Sequence, residues 1–418
     1  MMDNLTHSLF GVALAETGYQ ALSRKKKVKK ELRPVLYFSS IFANNFPDLD
    51  FLFSLFDPTR LGYLLHHRGH THTLLWIWPQ ALLLLAGLYM FCKIKKIVFN
   101  KTEWLTTGLL IILGFHVHIG LDFLNSYGVH PFAPFDNRWF YGDTLFIMEP
   151  FVWFSLLPLM LLSVRRKWLS WPLFGLATSL LVFGLFIKII SWINFALILL
   201  FFGGLYYSLR FKKPRRQILV TFGVVFGVIA TFWSAGHAVK YHLRRDAQSF
   251  AEGGGQVLDI VTSPFPGNPF CWSFHVLEVR DQDYKVHTGF FTHSPFGRGV
   301  IQCPKFPMEK FIPATEVHPL KKYSRGDAAF WTDIYVQNVG ELLEPYEMNC
   351  RFRHWLQFAR LPFRTGSSYN DLRYARRAKN LSTLDLEEGA TCPPFPTHWV
   401  PPRQDLIHIF LEQRKANL

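Results

Sequence analysis

Charge is what this 418-residue chain has little of. Asp, Glu, Lys and Arg make up 18% of it, against 17% aromatic and 50% hydrophobic residues. Soluble domains carry about a quarter charged residues, so the balance is that of a membrane protein. Cysteine is scarce too. Cys92, Cys271, Cys303, Cys350 and Cys392 form no Cys-x-x-Cys pair, which argues against a cysteine zinc site. The four in the second half allow one or two disulfides, with three connectivities for two bridges, if that half meets an oxidising compartment; four buried thiols are the plain alternative. No His-Glu-x-x-His and no Gly-x-Ser-x-Gly sequence occurs, so neither zincin nor nucleophile-elbow chemistry is indicated. No basic stretch precedes the first apolar segment, and no cleaved signal peptide is expected.

What is present is apolar runs of spanning length, at 74–92, 104–120, 145–164, 168–187, 192–209 and 218–236. A bilayer core roughly 30 Å thick needs about 20 helical residues, so these six read as spans. Segments 5–22 and 35–56 are apolar but carry Glu16 and Asn44, Asn45, Asp48 and Asp50; they read as cavity-lining spans or interfacial helices. Beyond residue 236 the chain turns polar. Short alternating stretches (Phe274 to Val279, Lys285 to Phe291, Ala329 to Gln337) are parted by turn signals, and 341–361 reads as helical. The expected fold is therefore an all-α polytopic membrane bundle of six to eight hydrophobic helices over 1–236. A mostly β (α+β) soluble domain follows over 237–418.

The net charge of +15 suggests nucleic acid, but its placement argues against that. Of the 23 Lys and Arg in residues 1–236, 19 sit in four short segments, 23–33, 93–101, 165–167 and 210–216. These fall on one side of the membrane if both uncertain segments cross, and the positive-inside rule makes that side cytoplasmic. Arg60, Arg68, Arg138 and Lys188 lie opposite. All eight histidines of the first half then fall on or near the outer side, as does everything after residue 236. An inner-membrane protein with an extracytoplasmic C-terminal domain is expected, and no nucleic-acid partner.

Ionisable residues at membrane depth are costly and usually functional. Leu65-His66-His67-Arg68-Gly69-His70-Thr71-His72 packs four histidines into seven residues; a solvated loop is the plain alternative to metal ligation. His118 and Asp122 are four apart, so one helix face presents both to one ion, with a simple His–Asp hydrogen bond as the alternative. His116 points elsewhere. In Asn44-Asn45-Phe46-Pro47-Asp48-Leu49-Asp50, Pro47 should end a helix. That leaves two carboxylates on irregular backbone, where they serve as ligands, a general base or helix caps. In Asp3-Asn4-Leu5-Thr6-His7-Ser8, Asp3 or Asn4 caps the first helix and His7 faces the site. Arg138 is a candidate for binding an anionic group; Asp143 and Glu149 flank the next span.

These motifs, together with His130-Pro131-Phe132, Tyr141-Gly142-Asp143 and Glu149-Pro150, resemble the YdjM-type inner-membrane, metal-dependent hydrolase family over roughly residues 2–190. Pro264 to Trp272 resembles the join to an outer domain in longer members. The resemblance implies a helical membrane hydrolase, distantly similar to zinc-dependent phospholipase C and P1-type nuclease folds. It carries His7, Asp48, Asp50, His67, His72, His118 and Asp122 over as metal ligands. His70 and Glu149 depart from its pattern. A divalent metal, with zinc the expected ion, would activate water for attack on a phosphoester of a membrane lipid or lipid-linked substrate. Asp48 or Asp50 is the expected base, and Arg68 or Arg138 the expected anion binder. The rival readings are a metal-stabilised membrane scaffold and a metal transporter.

Overall fold

The computed structural model describes residues 3–23, 29–164, 167–251, 254–293, 303, 315–317, 328–374, 380–386 and 391–416. The basic residues at 24–27 and 165–166 lie outside the described residues. Helix α1 (Asn4–Ser23) starts where the Asp3 carboxylate accepts from the Thr6 N–H and hydroxyl at 2.9 and 2.8 Å, an N-cap as expected. Twelve of its residues are buried, which makes it a central helix rather than a lipid-facing one. Helix α2 (Leu32–Ala43) packs on it closely: a Cβ on Gly11 would lie 2.6 Å from the Ile41 Cα. Pro47 then prevents the helix from continuing, and the chain tightens into a 3₁₀ helix over Pro47–Leu55. Segment 35–56 is therefore two elements joined by a turn, not one span.

Helix α3 (Arg60–His66) is capped by the Thr59 hydroxyl, and a second 3₁₀ turn spans His70–His72. Helices α4 (Ile77–Ile94), α5 (Lys101–Phe123), α6 (Pro150–Ser163), α7 (Lys167–Phe186), α8 (Trp192–Arg210) and α9 (Pro214–Ala251) follow. Among the described residues, four of these, α4, α5, α8 and α9, are long and apolar enough to cross a membrane. Shorter apolar helices cover Leu32–Ala43, Pro150–Ser163 and Ser170–Phe186, and the expected count of six to eight hydrophobic helices is not confirmed. Helix α6 shows why. It has 14 residues, twelve of them buried, so its hydropathy reflects protein core and not lipid. Hydropathy alone does not separate the two. Helix α9 runs to Ala251, so the expected boundary at 236–237 falls inside a helix.

The C-terminal region opens with an antiparallel sheet of order β1-β2-β3-β5-β4, built from Gln256–Phe265, Asn268–Arg280, Asp283–Thr292, Glu316–Val317 (β4) and Ala329–Asn338 (β5). The three expected strands fall in β2, β3 and β5. Residues 264–272 form the closed end of the β1–β2 hairpin, where the Gly267 N–H donates to Glu149. The stretch expected to be helical is broken at Pro345 and Asn349 into α10 (Val339–Leu343), α11 (Pro345–Met348) and α12 (Cys350–Leu356). A small sheet of β6 (Pro362–Thr365), β7 (Ser368–Asp371) and β8 (Leu384–Asp385) and helix α13 (Gln404–Ala416) complete the chain. Cys271 pairs with Cys303 and Cys350 with Cys392; Cys92 is free and buried.

The C-terminal region does not hang from a tether. It rests on the histidine-bearing end of the bundle through one hydrophobic core, in which Leu61, Leu65, Tyr127 and Trp139 pack with Trp355, Phe358 and Leu406. Asp143 pins this contact: its carboxylate accepts from Arg360 at 2.9 and 3.0 Å and from Lys240 at 2.8 Å. Arg360 also reaches Asp259 of β1 at 2.8 Å.

Candidate metal centre

Three elements converge where the bundle meets the C-terminal region. Helix α5 presents His118 and Asp122 one turn apart, the first 3₁₀ helix supplies Asp48 and the second supplies His72. One donor atom from each lies within 4.8 Å of the other three, and all four residues are buried. His72 Nε2 is 3.0 Å from His118 Nε2, 3.2 Å from Asp122 Oδ2 and 3.6 Å from Asp48 Oδ1. His118 Nε2 is 3.5 Å from Asp122 Oδ2 and 3.7 Å from Asp48 Oδ1. Four ligands about 2.0–2.2 Å from one tetrahedral ion sit roughly 3.3–3.6 Å apart, so the spacing fits one ion at the centre. Both Asp48 oxygens are buried without a hydrogen-bond partner, a costly state unless something else engages them.

The surroundings fix the ring nitrogens. His118 Nδ1 is 2.7 Å from the Asn44 carbonyl, so Nδ1 carries the proton and Nε2 keeps its lone pair. His72 Nδ1 faces Thr71 Oγ1 at 2.9 Å and Asp50 Oδ2 at 3.3 Å, which turns its Nε2 inward too. The two Nε2 atoms face one another at 3.0 Å, a separation that a proton or a cation between them accounts for. A partner on the other ring nitrogen is the usual way a ligating histidine is oriented. Charge argues the same way. The carboxylates of Asp48, Asp50 and Asp122 stand against the Arg68 guanidinium, which leaves two negative charges for a divalent ion to balance. Burial pulls the His72 pKa down, yet hydrogen bonds to Asp122, Asp48 and Asp50 outweigh it and hold that pKa well above the usual histidine value. The field that would protonate His72 is one that attracts a dication.

Asp50 is near but otherwise engaged. It accepts from His67 Nδ1 at 2.8 Å, from the Arg68 N–H at 2.8 Å and from the Thr71 hydroxyl at 3.0 Å, so it positions the histidine loop and stands outside the four-residue group. His67 keeps a buried Nε2 without a partner and lies 6.1 Å from the His72 ring. His7 stacks on His118 at 3.9 Å, with its Nε2 3.5 Å from Asp122 Oδ1 and neither nitrogen hydrogen-bonded. Both sit beside the four rather than among them.

Arg68, at φ +60°, is fully buried. It donates to Asp122 Oδ1 at 2.6 Å and to the carbonyls of Asp122 and Gly128 and Asn125 Oδ1 at 3.1–3.2 Å. Nη1 and Nη2 are thus engaged by the protein, while Nε is buried without a partner. Arg138 is on the surface, paired with Asp136 at 2.6 Å, and does not approach the centre. His66 reaches the Phe395 carbonyl, exposed His70 lies against Trp399, and exposed His116 bonds the Ile112 carbonyl of its own helix. Burial between Trp139 and Trp399 pushes the His130 pKa down to about 3. Sequence reasoning missed Thr71, Asn125 and Trp399. Trp399 donates to the Leu65 carbonyl at 2.8 Å, a contact to backbone that leaves no pattern in sequence.

Comparison with known proteins bears on this geometry. The YdjM inner membrane protein family matches residues 2–236, more than half the chain and every residue of the centre. The chain belongs to the YdjM inner membrane protein family. The uncharacterized protein YfhP of Bacillus subtilis (strain 168) is 24% identical over 154 residues, 37% of this chain. The match covers 44% of YfhP's own length. No solved structure matches, and the distant likeness to phospholipase C and P1-type nucleases stays an expectation of the sequence. Within the YdjM-family part, the four converging residues are drawn from motifs that carried the resemblance; the strap of residues 395–400 over the histidine loop lies beyond the matched segment.

Proposed function

We propose that this chain is a membrane-bound, metal-dependent hydrolase that cleaves a phosphoester of a lipid or lipid-linked substrate. The observation that carries the reading is the double face of the Asp48 segment. Inward, Asp48 offers two carboxylate oxygens with no hydrogen-bond partner. Outward, the same short 3₁₀ helix and its next residue expose Phe51, Leu52, Leu55 and Phe56, and the chain after His72 exposes Leu74, Leu75 and Trp76. Apolar and tryptophan side chains at a helix end suit the head-group level of a bilayer, which brings the centre to where lipid phosphates lie. A divalent ion there, with zinc the expected one, supplies Lewis acidity for a phosphoryl oxygen and makes water acidic enough to attack near neutral pH. His72, His118 and Asp122 hold the ion. Asp48 would hold it with them, and its buried carboxylate would accept the proton of water, with His7 the next proton acceptor. Asp50 and Arg68 act through these groups, orienting His67 and His72 on one side and Asp122 on the other. The segregation of Lys and Arg supports placing the centre and the C-terminal region on the extracytoplasmic face.

A second reading, a metal-stabilised scaffold, is favoured by one observation: all four ligands are buried, as in closed structural sites. Metal content and head-group release from a phospholipid panel, measured on the full chain in nanodiscs, separate the two. The hydrolase reading expects Asp122→Ala to lose metal and turnover together. Asp48→Asn should keep metal and lose about 10²- to 10⁴-fold in rate, the usual worth of a positioned base. A metal-loaded wild type inert towards phosphoester and ester panels, and unfolded by chelation, establishes the scaffold.

A further inference from the structure

The end of the bundle away from the histidines carries a feature that the metal centre does not use. Helices α4 and α5 are consecutive candidate spans, and residues 95–100 join them. Helix α4 has 18 residues, about 27 Å of helix at a rise of 1.5 Å per residue, against a hydrocarbon core of roughly 30 Å. The turn that follows it therefore emerges at the membrane surface. Ile94 and Val98 are 72% and 69% exposed there, so apolar side chains are open to the bilayer at the level where the chain turns polar.

Lysines crowd this turn. Lys93, Lys95, Lys96 and Lys101 are all exposed. Residues 29–31, which lead into α2, are tied to it: Lys29 donates to the Val98 carbonyl at 2.6 Å and brings exposed Lys30 with it. Among the described residues of the two turns, these six ammonium groups meet two carboxylates, Glu31 and Glu103. Glu103 is buried and engaged by the Asn100 N–H in the cap of α5, and the next basic residue, Arg33, is paired with Glu16 at 2.8 Å. The positive-inside rule accounts for the sign of these residues. It does not account for their gathering on two turns held in contact, where like charges repel unless a counter-charge sits among them.

We propose that the two turns bind a phospholipid carrying two phosphates, from the leaflet on this side of the membrane. Lys29 and Lys30 take one phosphate, Lys95 and Lys96 the other, and Ile94 and Val98 lie against the acyl chains. Basic groups between helix ends at head-group level suit such a lipid. The lipid braces the far ends of α1 and α5, the helices that carry His7, His118 and Asp122. The inference goes beyond the hydrolase reading and needs neither metal nor turnover.

The full chain is reconstituted in phosphatidylcholine nanodiscs doped with diphosphatidylglycerol, and lipid retained on gentle release is counted by native mass spectrometry, beside melting temperature. Wild type should retain diphosphatidylglycerol in preference to phosphatidylglycerol at matched lipid phosphate, and added salt should weaken the retention. Each lysine near an anionic head group is worth about fivefold in affinity, so Lys30→Gln combined with Lys95→Gln should lose about 25-fold. Lys188→Gln, outside the two turns, should lose nothing. Equal retention by wild type and the double variant overturns the proposal, as does a wild type that retains none. A loss of the same size in Lys188→Gln also overturns it, because net charge rather than place would then be responsible. Equal retention of phosphatidylglycerol overturns the two-phosphate assignment, and displacement by inorganic pyrophosphate at equal concentration overturns the lipid. If the double variant unfolds, Lys101→Gln decides, with about a fivefold loss expected and unchanged retention counting against the site.

Discussion

Arg68→Met asks what the one buried arginine of the centre does. The side chain is fully buried and donates to four oxygens, one of them the Asp122 carboxylate at 2.6 Å. Methionine has a comparable reach and no charge. It leaves Asp122 as a buried anion without its arginine, and it removes a donor from the carbonyls of Asp122 and Gly128; the Asn125 amide oxygen keeps the Tyr127 N–H at 2.9 Å. Removing one partner of a buried ion pair costs about 3–5 kcal/mol, and each lost hydrogen bond adds to that. The whole stability of a typical domain is only about 5–15 kcal/mol, so the variant should be marginal. The remaining carboxylates would then depend more heavily on the ion. Thermal unfolding in detergent, with and without chelator, reads both effects: a melting temperature well below wild type, and a larger further drop on chelation. Had Arg68 bound substrate, as its sequence position suggested, the variant would melt like wild type and fail only in KM. A melting temperature within a degree of wild type refutes the argument.

Asp50→Ala should weaken metal binding about 10- to 100-fold, the usual effect of removing a group that orients ligating histidines; competition with a chelating dye measures it, and unchanged affinity contradicts the assigned role. Glu149 caps α6 outside the four candidate spans and accepts from the Phe151 and Gly267 N–H groups. Burial lifts its pKa from 4.5 to about 8, against those two bonds. Because the folded value is the higher one, its contribution to stability is complete below pH 4.5 and is lost as pH rises towards 8. Glu149→Gln should flatten that slope in melts taken across the window, and an unaltered slope tells against it. A phosphatase that is active only when exported, fused to the C terminus, should be active, as the charge distribution expects; a silent fusion reverses the topology.

The chemistry of the centre was legible because it obeys short-range rules. His118 and Asp122 share a helix face by their spacing, and Pro47 had to break the helix before Asp48. Which of four histidines in seven residues points inward was not legible. That depends on the left-handed backbone at Arg68 and on Gly69, where a Cβ would meet the His66 carbonyl at 2.9 Å and the Trp399 ring at 3.2 Å. Asp48 and Asp50 look alike in sequence; only the partners of Asp50 make it the positioning group. Whether an apolar run spans lipid was not legible for a related reason, since α6 is hydrophobic on every side and has twelve of its 14 residues buried. The strands of the second half followed from alternation, but their docking on the bundle rests on residues such as Arg360 and Asp143, more than 200 positions apart.

That docking also explains how so charge-poor a chain can keep three carboxylates at one buried point. Ligands come from the bundle, but the loop that carries them is held from above. Trp399 donates to the Leu65 carbonyl and stacks on His130 at 4.0 Å, and the Phe395 carbonyl meets His66 at 3.1 Å. The Cys350–Cys392 bridge ties the start of this strap to α12, whose Trp355 packs in the same core as Leu61 and Leu65. A loop with four histidines and one arginine would be solvated and mobile if it were left on the surface. Covered by the strap and cross-braced by Asp50, it becomes rigid enough to aim His72 at His118. The charge cost of that rigidity falls on Arg68, so the geometry of the four-residue group and the docking of the C-terminal region are coupled through one short loop.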